Sequence, residues 1–200
     1  MVETEDADIL EIAVRLLLER RDGEAEAELL RFTPDDPVPP PVIHSVTATD
    51  RPSHAPRPPT SPSILAPVLK RDKWRCRYCQ RKLVAAGVIE LIGSLCPEQF
   101  PFPPGHHMPV DRTHPAALRV YPSVDHVHAG SLGGDWHDQN NLVAACTPCN
   151  ELKSDTLGWG ATPISEGDEW KGLTEYYRSL TERASSVRPY HVRWMEALGV

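Results

Sequence analysis

Long apolar runs are absent from this sequence, and cysteine is scarce. No stretch approaches the roughly 20 consecutive apolar residues that a membrane-spanning helix needs. The first ten residues, MVETEDADIL, are acidic where a signal peptide would be basic. We therefore expect a cytoplasmic protein with no membrane partner. Five cysteines among 200 residues are too few, and wrongly spaced, for a disulfide framework.

Positive charge is also in short supply, since the chain carries a formal net charge of −7. That average argues against a nucleic-acid partner, but the charge is unevenly distributed. Residues 1–50 hold 13 acidic and 4 basic side chains, whereas Lys70–Lys82 holds seven basic side chains and one acidic. We call Lys70–Lys82 the basic segment. Phosphate contacts need only a local basic face, so DNA is not excluded as a partner.

Proline and apolar spacing divide the chain. Residues 1–31 predict an acidic helical appendage, because Ile9, Ala13 and Leu16 recur at helical spacing over residues 6–21 and a second short helix fits residues 24–30. Residues 32–63 are rich in proline and predict an extended linker. We expect the main domain to start at residue 64 and a C-terminal helical extension to occupy residues 161–200.

The most specific pattern consists of two Cys-x-x-Cys pairs, formed by Cys76 with Cys79 and by Cys146 with Cys149. Four thiolates in two such pairs suit one tetrahedral structural Zn²⁺. The alternative is four reduced cysteines packed as small apolar side chains. We expect Cys96, which has no paired neighbour, to be a buried thiol.

Local patterns around the second pair predict an α+β domain. Residues 120–127 favour a strand that carries Asp125 and His126 near its end, and residues 141–146 favour a second strand entering the second pair. A helix is expected from Asn150 onward. In the extension we expect a helix over residues 168–184, capped by Ser165 and Asp168, and a short helix from Pro189.

The strings WRCRYC, VDHV and GGDWHDQNNLVAACTPCNELKSD together resemble the HNH endonucleases, in the zinc-braced branch of the ββα-metal nucleases. This treble-clef-like type is common in actinobacteria and their phages. The resemblance implies a nuclease domain over residues 64–160, with an insertion at residues 86–118, a structural zinc, and DNA as substrate.

The resemblance also implies individual roles. His126 would be the general base, and Asn141 would brace the loop between the strands. Asp125 and Asn150 would hold one catalytic divalent cation, Mg²⁺ or Mn²⁺, for which carboxylate and amide oxygens are suitable ligands. The four paired cysteines would hold the zinc.

Two positions depart from the family pattern. Ala129 replaces a proline, and Leu132 replaces a basic residue before Gly133-Gly134, so we expect a looser loop and one lost phosphate contact. Lys73, Arg75 and Arg77 of the basic segment are the candidates to replace that contact as DNA-binding residues.

Other interpretations stay open. The same fold could be a catalytically inactive zinc module that binds nucleic acid or protein, or an accessory to another enzyme. The acidic N-terminus could fold back on the basic segment and compete with DNA. Alternatively, the apolar stripe of its helix could dock a protein partner, which we regard as the stronger of these two interpretations.

Overall fold

The computed structural model describes residues 5–32, 61–103, 108–109, 111–164, 167, 169–184 and 188–200. Most of the expected linker lies outside these ranges, and its last residues begin the third helix. In this part of the chain the elements are α1 (Asp6–Leu18), α2 (Asp22–Leu29), α3 (Pro62–Arg71), α4 (Ala86–Leu95), α5 (Pro115–Val120), β1 (Pro122–His126), β2 (Leu142–Cys146), α6 (Thr147–Lys153), α7 (Tyr177–Arg183) and α8 (Pro189–Leu198). None of the described helices combines the length and apolar character needed to cross a bilayer.

The sheet consists of two antiparallel strands, β1 and β2, with Asp125 opposite Val143 and His126 opposite Leu142. Strand β2 is buried along its whole length, because helices α3, α5 and α6 pack against it and its five residues are apolar. Both strands were expected, with slightly wider bounds. The mixture of helices with a small antiparallel sheet confirms the α+β class.

Helix α6 begins at Thr147, three residues earlier than expected, and so it includes Cys149. Pro148 in its first turn explains the early start, because proline has no N–H to lose there and its φ is already helical. As a result, Asn150 and Lys153 are three residues apart within one helix, and residues at that spacing share a face.

The N-terminal helices are part of the main core, so the expectation of a tethered appendage is wrong. The apolar face of α1 (Leu10, Ala13, Val14 and Leu17) lies in the same buried cluster as α4 and β2. Asp6 accepts two hydrogen bonds, of 2.6 and 3.0 Å, from the buried guanidinium of Arg119 in α5. The apolar face of α1 that was expected to dock a partner is therefore covered by the protein's own core.

The acidic N-terminus does contact the basic segment, but through fixed pairs within the fold. Glu5 accepts hydrogen bonds from the Arg75 side chain at 3.2 Å and from the Lys82 backbone N–H at 3.0 Å. Asp8 pairs with the ammonium of Lys82. These residues belong to a packed helix and its cap, not to a tail that could swing on and off, which corrects the premise of autoinhibition by a mobile tail.

The residues expected to form an insertion contribute to the core. In α4, Val88, Ile89 and Ile92 are fully buried, and Gly87 lies against Tyr177 of α7. A Cβ at Gly87 would stand 1.7 Å from the Tyr177 hydroxyl, so this packing requires glycine. The described residues of α4 within the segment 86–118 therefore pack into the domain instead of looping out of it.

The C-terminal extension is only partly as expected. The described residues 169–173 are not helical; a 3-10 turn at Thr174–Tyr176 leads into α7. Gly172 and Leu173 have φ of 68° and 60°, which prevents a continuous helix. Ser165 and Asp168, the expected cap, lie outside the described residues. Helix α8 begins at Pro189 as predicted.

We predict that Asp6→Ala lowers the free energy of unfolding by about 3 kcal/mol, because the buried Arg119 guanidinium loses its carboxylate partner. Chemical denaturation of the full chain measures this. Glu19→Ala is the control, since it removes a carboxylate whose partner Arg21 is exposed, and little change is expected. An unchanged stability for Asp6→Ala would restore the appendage interpretation.

Candidate functional site

The four paired cysteines form one compact cluster. Their Sγ atoms all lie within 4.8 Å of one another, and those of Cys79 and Cys146 are 3.8 Å apart. A tetrahedral zinc with Zn–S bonds of about 2.3 Å would separate its sulfurs by roughly 3.8 Å. None of the four cysteines is in a disulfide. The cluster could therefore hold a zinc ion.

Each cysteine pair is placed by a tight local structure. The first pair closes a turn in which Cys76 N–H donates to the Arg81 carbonyl at 3.0 Å and Gln80 N–H donates back to Cys76 at 2.8 Å. Gln80 has a φ of 63°, the left-handed conformation that such a turn requires. In the second pair, Cys146 ends β2 and Cys149 lies in the first turn of α6. The clustered sulfurs lower the pKa of Cys79 and raise the pKa values of Cys146 and Cys149, because a thiolate on Cys79 is stabilised by hydrogen bonds from the thiols around it.

A cleft of about 280 Å³ lies beside this cluster, between the end of β1 and helix α6. Three of the predicted residues, Asp125, His126 and Asn150, line it together. The structure thus brings a carboxylate, an imidazole and an amide to one surface. The remaining lining comes from β1, from the loop after it and from the residues following α6: Val124, Ala129, Gly130, Ser131, Trp136, Ser154 and Asp155.

Asp125 is nearly buried and has two partners on the same oxygen. The Tyr78 hydroxyl donates a hydrogen bond to Oδ2, and the Lys153 ammonium lies 3.0 Å from the same atom. Burial and the neighbouring Asp125 carboxylate raise the pKa of Tyr78 above its ordinary value, so its hydroxyl stays a donor. Lys153, which is fully buried, also donates to the His126 carbonyl at 2.8 Å.

The imidazole of His126 is oriented by Trp136. Its Nε2 lies 3.3 Å from the Trp136 carbonyl oxygen, and the two rings meet edge to face with centroids 4.8 Å apart. Trp136 can approach so closely because Gly130 has no side chain: a Cβ there would be 2.3 Å from the indole ring. A carbonyl oxygen only accepts, which assigns the ring proton to Nε2 and makes Nδ1 the basic nitrogen.

Asn141 does not line the cleft but binds the loop that does. Its Oδ1 accepts from the His128 backbone N–H at 2.8 Å, and its Nδ2 donates to the carbonyls of His128 and Asp135 at 3.0 and 2.9 Å. These bonds span the loop between β1 and β2. They connect the beginning, the middle and the end of that loop.

The loop is well secured despite the two departures from the family pattern. The carbonyl of Ala129, which stands where many members have proline, accepts hydrogen bonds from Leu132 and Gly134 at 2.9 and 3.1 Å. A Cβ at Gly134 would lie 2.0 Å from the His128 carbonyl oxygen, so the backbone packs too closely there for any other residue. These contacts anchor the loop without the proline, and the expected looseness stays a prediction.

The arginines expected to contact DNA have structural partners. Arg75 binds Glu5 at 3.2 Å and the Gln80 carbonyl at 2.9 Å. Arg77 binds the buried Asp72 at 3.0 Å and the Thr162 carbonyl at 2.6 Å. Lys73 is half-buried and adopts a positive φ of 48° in a turn. The basic segment is thus largely engaged within the fold and is not an open positive face.

Several residues of the site were not identified from the sequence. Tyr78 lies between the first two cysteines and Lys153 three positions after Asn150, so their spacing was visible but their contacts with Asp125 were not. Trp136 reaches the cleft because of how the loop between β1 and β2 folds. Asp155 reaches it because it follows the end of α6. Because no sequence period relates these four positions, only the tertiary structure identifies them.

Residues 115–156 match the model of a family described as HNH endonuclease. This segment is therefore similar to an HNH domain. It spans both strands and α6, and hence Asp125, His126, Asn141 and Asn150, whereas the first cysteine pair precedes it. The match confirms the resemblance for this part of the chain and indicates nuclease activity in a broad sense. No curated protein and no solved structure matches the chain.

We predict that Cys149→Ser abolishes stoichiometric zinc binding and lowers the melting temperature, because a structural zinc contributes folding free energy. Metal analysis of the purified protein and thermal unfolding measure the two effects. Cys96→Ala is the control and should retain zinc: Cys96 stands apart from the cluster, and burial raises the pKa of its thiol to about 11. Unchanged zinc content in Cys149→Ser would rule out the four-cysteine site.

Proposed function

We propose that the protein is a metal-dependent HNH endonuclease that hydrolyses phosphodiester bonds of DNA. The observation that carries this proposal is the convergence of Asp125, His126 and Asn150 on one cleft within the HNH domain. These residues come from the end of a strand and from the middle of a helix 24 positions later in the sequence. Their meeting at one surface is what a hydrolytic site requires.

Asp125 and Asn150 are the proposed ligands of one divalent cation, Mg²⁺ or Mn²⁺. The fit rests on the chemistry of the donors, because a carboxylate and an amide on facing elements line the same cleft and both offer the hard oxygen ligands these ions prefer. Two protein ligands leave coordination positions for phosphate and water. When bound, such a cation supplies positive charge at the phosphate and at the leaving oxygen.

His126 is the proposed general base. With Nε2 directed to the Trp136 carbonyl, Nδ1 takes a proton from a water molecule, whose oxygen then attacks the phosphorus. The bond from phosphorus to the 3′-oxygen breaks and that oxygen takes a proton from solvent water, which leaves 5′-phosphate and 3′-hydroxyl ends. Asn141 serves this step indirectly, since it fixes the loop that carries Trp136. The four cysteines would hold a structural zinc that takes no part in the reaction.

The competing function is a catalytically inactive zinc module that binds nucleic acid or protein. One observation favours it: the Lys153 ammonium lies 3.0 Å from the Asp125 carboxylate and compensates part of the negative charge that would attract a cation. Leu132 in place of a basic residue points in the same direction. Lys73, Arg75 and Arg77 are the proposed DNA-binding residues, and Arg75 and Arg77 also hold partners within the fold.

We predict that the full chain nicks supercoiled plasmid DNA in the presence of Mg²⁺ or Mn²⁺ and that EDTA stops the reaction. His126→Ala should reduce the nicking rate by roughly 100-fold or more, because the general base is lost. Electrophoresis of the plasmid forms over time measures the rate.

His128→Ala is the matched control. This exposed histidine lies two residues further along and bonds Asn141 through its backbone N–H and carbonyl, so the nicking rate should be retained. DNA binding without cleavage under any divalent metal would favour the inactive module. Equal cleavage by wild type and His126→Ala would refute the assignment of the base.

A further inference from the structure

The carboxylate of Asp125 is held from two sides by residues outside its own strand. Tyr78 reaches Oδ2 from the first cysteine pair, and Lys153 reaches the same oxygen at 3.0 Å from α6. Asp125 is 7% exposed and Lys153 is fully buried, so these contacts form in a site with little water. Hydrogen bonds to a charged group in such surroundings are strongly directional and restrict its orientation.

Tyr78 is fixed by the cysteine cluster. It lies between Cys76 and Cys79, whose sulfurs both belong to the cluster, and its ring packs edge to face on Trp159 with centroids 5.4 Å apart. The position of the Tyr78 hydroxyl therefore follows from the geometry of the first pair. Lys153 is similarly tied to the second pair, because its helix starts immediately after Cys146.

We propose that Tyr78 is a positioning residue for the catalytic metal site. Its hydroxyl, together with Lys153, engages Oδ2 of Asp125 and thereby directs Oδ1 toward the cleft as the metal ligand. The four-cysteine cluster thus sets the orientation of a ligand in the neighbouring cation site. This inference rests on the proposed function, since it presumes that Asp125 binds a divalent cation.

The two anchors differ in a way that makes Tyr78 the better residue to vary. Replacing Lys153 would change the charge beside the carboxylate as well as its orientation. Tyr78→Phe removes one neutral hydroxyl and keeps the ring that packs on Trp159. A change in metal affinity then reports the lost hydrogen bond, because the net charge of the site is the same.

The test uses zinc-loaded full-length protein and Mn²⁺, whose binding is followed by electron paramagnetic resonance of the free ion. We expect Tyr78→Phe to weaken Mn²⁺ binding about 10-fold, the lower end of the range for removing a hydrogen-bond partner of a metal ligand. Zinc content and melting temperature should stay close to wild type. Nicking should need correspondingly more Mn²⁺ to reach half its maximal rate.

Tyr176→Phe is the matched control. The Tyr176 hydroxyl accepts a hydrogen bond from the exposed Arg15, and neither residue lines the cleft. Loss of this hydroxyl should leave the Mn²⁺ affinity unchanged. Asp125→Ala separates the proposed metal site from the positioning role of Tyr78. If Asp125→Ala loses Mn²⁺ and Tyr78→Phe binds it like wild type, the positioning role is refuted while the metal site stands.

Equal Mn²⁺ binding by wild type and Asp125→Ala would refute both the proposed metal site and the positioning role. Loss of zinc from Tyr78→Phe together with weaker Mn²⁺ binding would assign Tyr78 a structural role in the cysteine cluster, and it would also overturn the proposal.

Discussion

The cluster of four cysteines is the constraint on which the rest of the site depends. It brings together two parts of the chain separated by 66 residues, and helix α6, which forms one side of the cleft, begins at its second pair. The first pair positions Tyr78, and the second starts α6, which carries Asn150 and Lys153. A two-stranded sheet alone is marginal in water. Helices packed on both strands stabilise it, and a zinc in the cysteine cluster would add a cross-link at this point.

Several charged side chains of this protein bind one another within the fold. The buried carboxylate of Asp72 accepts hydrogen bonds from Arg71, Arg77 and the backbone N–H of Ala144, and so connects α3, the first cysteine pair and β2. Asp6 has a comparable role for Arg119. Because removing one member of a buried pair leaves an uncompensated charge, these contacts make the fold specific. The excess of positive charge between residues 70 and 82 therefore does not translate into an equally large surface for phosphate.

The loop between the strands shows how close packing replaces regular structure around a reactive group. Gly130 lets Trp136 approach His126, Gly134 lets the backbone pass His128, and Asn141 ties the two ends with three hydrogen bonds. Each contact restricts the region that holds the imidazole. For the general base proposed above, such an orientation would reduce the entropy lost in reaching the geometry for proton transfer.

Residue identities and their spacing determined much of this protein without the structure. Two cysteine pairs predicted the metal cluster, an Asp-His sequence at the end of an expected strand predicted half of the cleft, and the order of motifs led to the HNH family. The orientation of Asp125 was decided only by tertiary structure, because Tyr78 and Lys153 lie 47 and 28 positions away from it in the sequence.

The place of the N-terminal helices was also decided only by tertiary structure. An amphipathic helix shows that one face will be buried, but the sequence does not say against which surface; here the apolar face of α1 and the ion pair between Asp6 and Arg119 select the protein's own core.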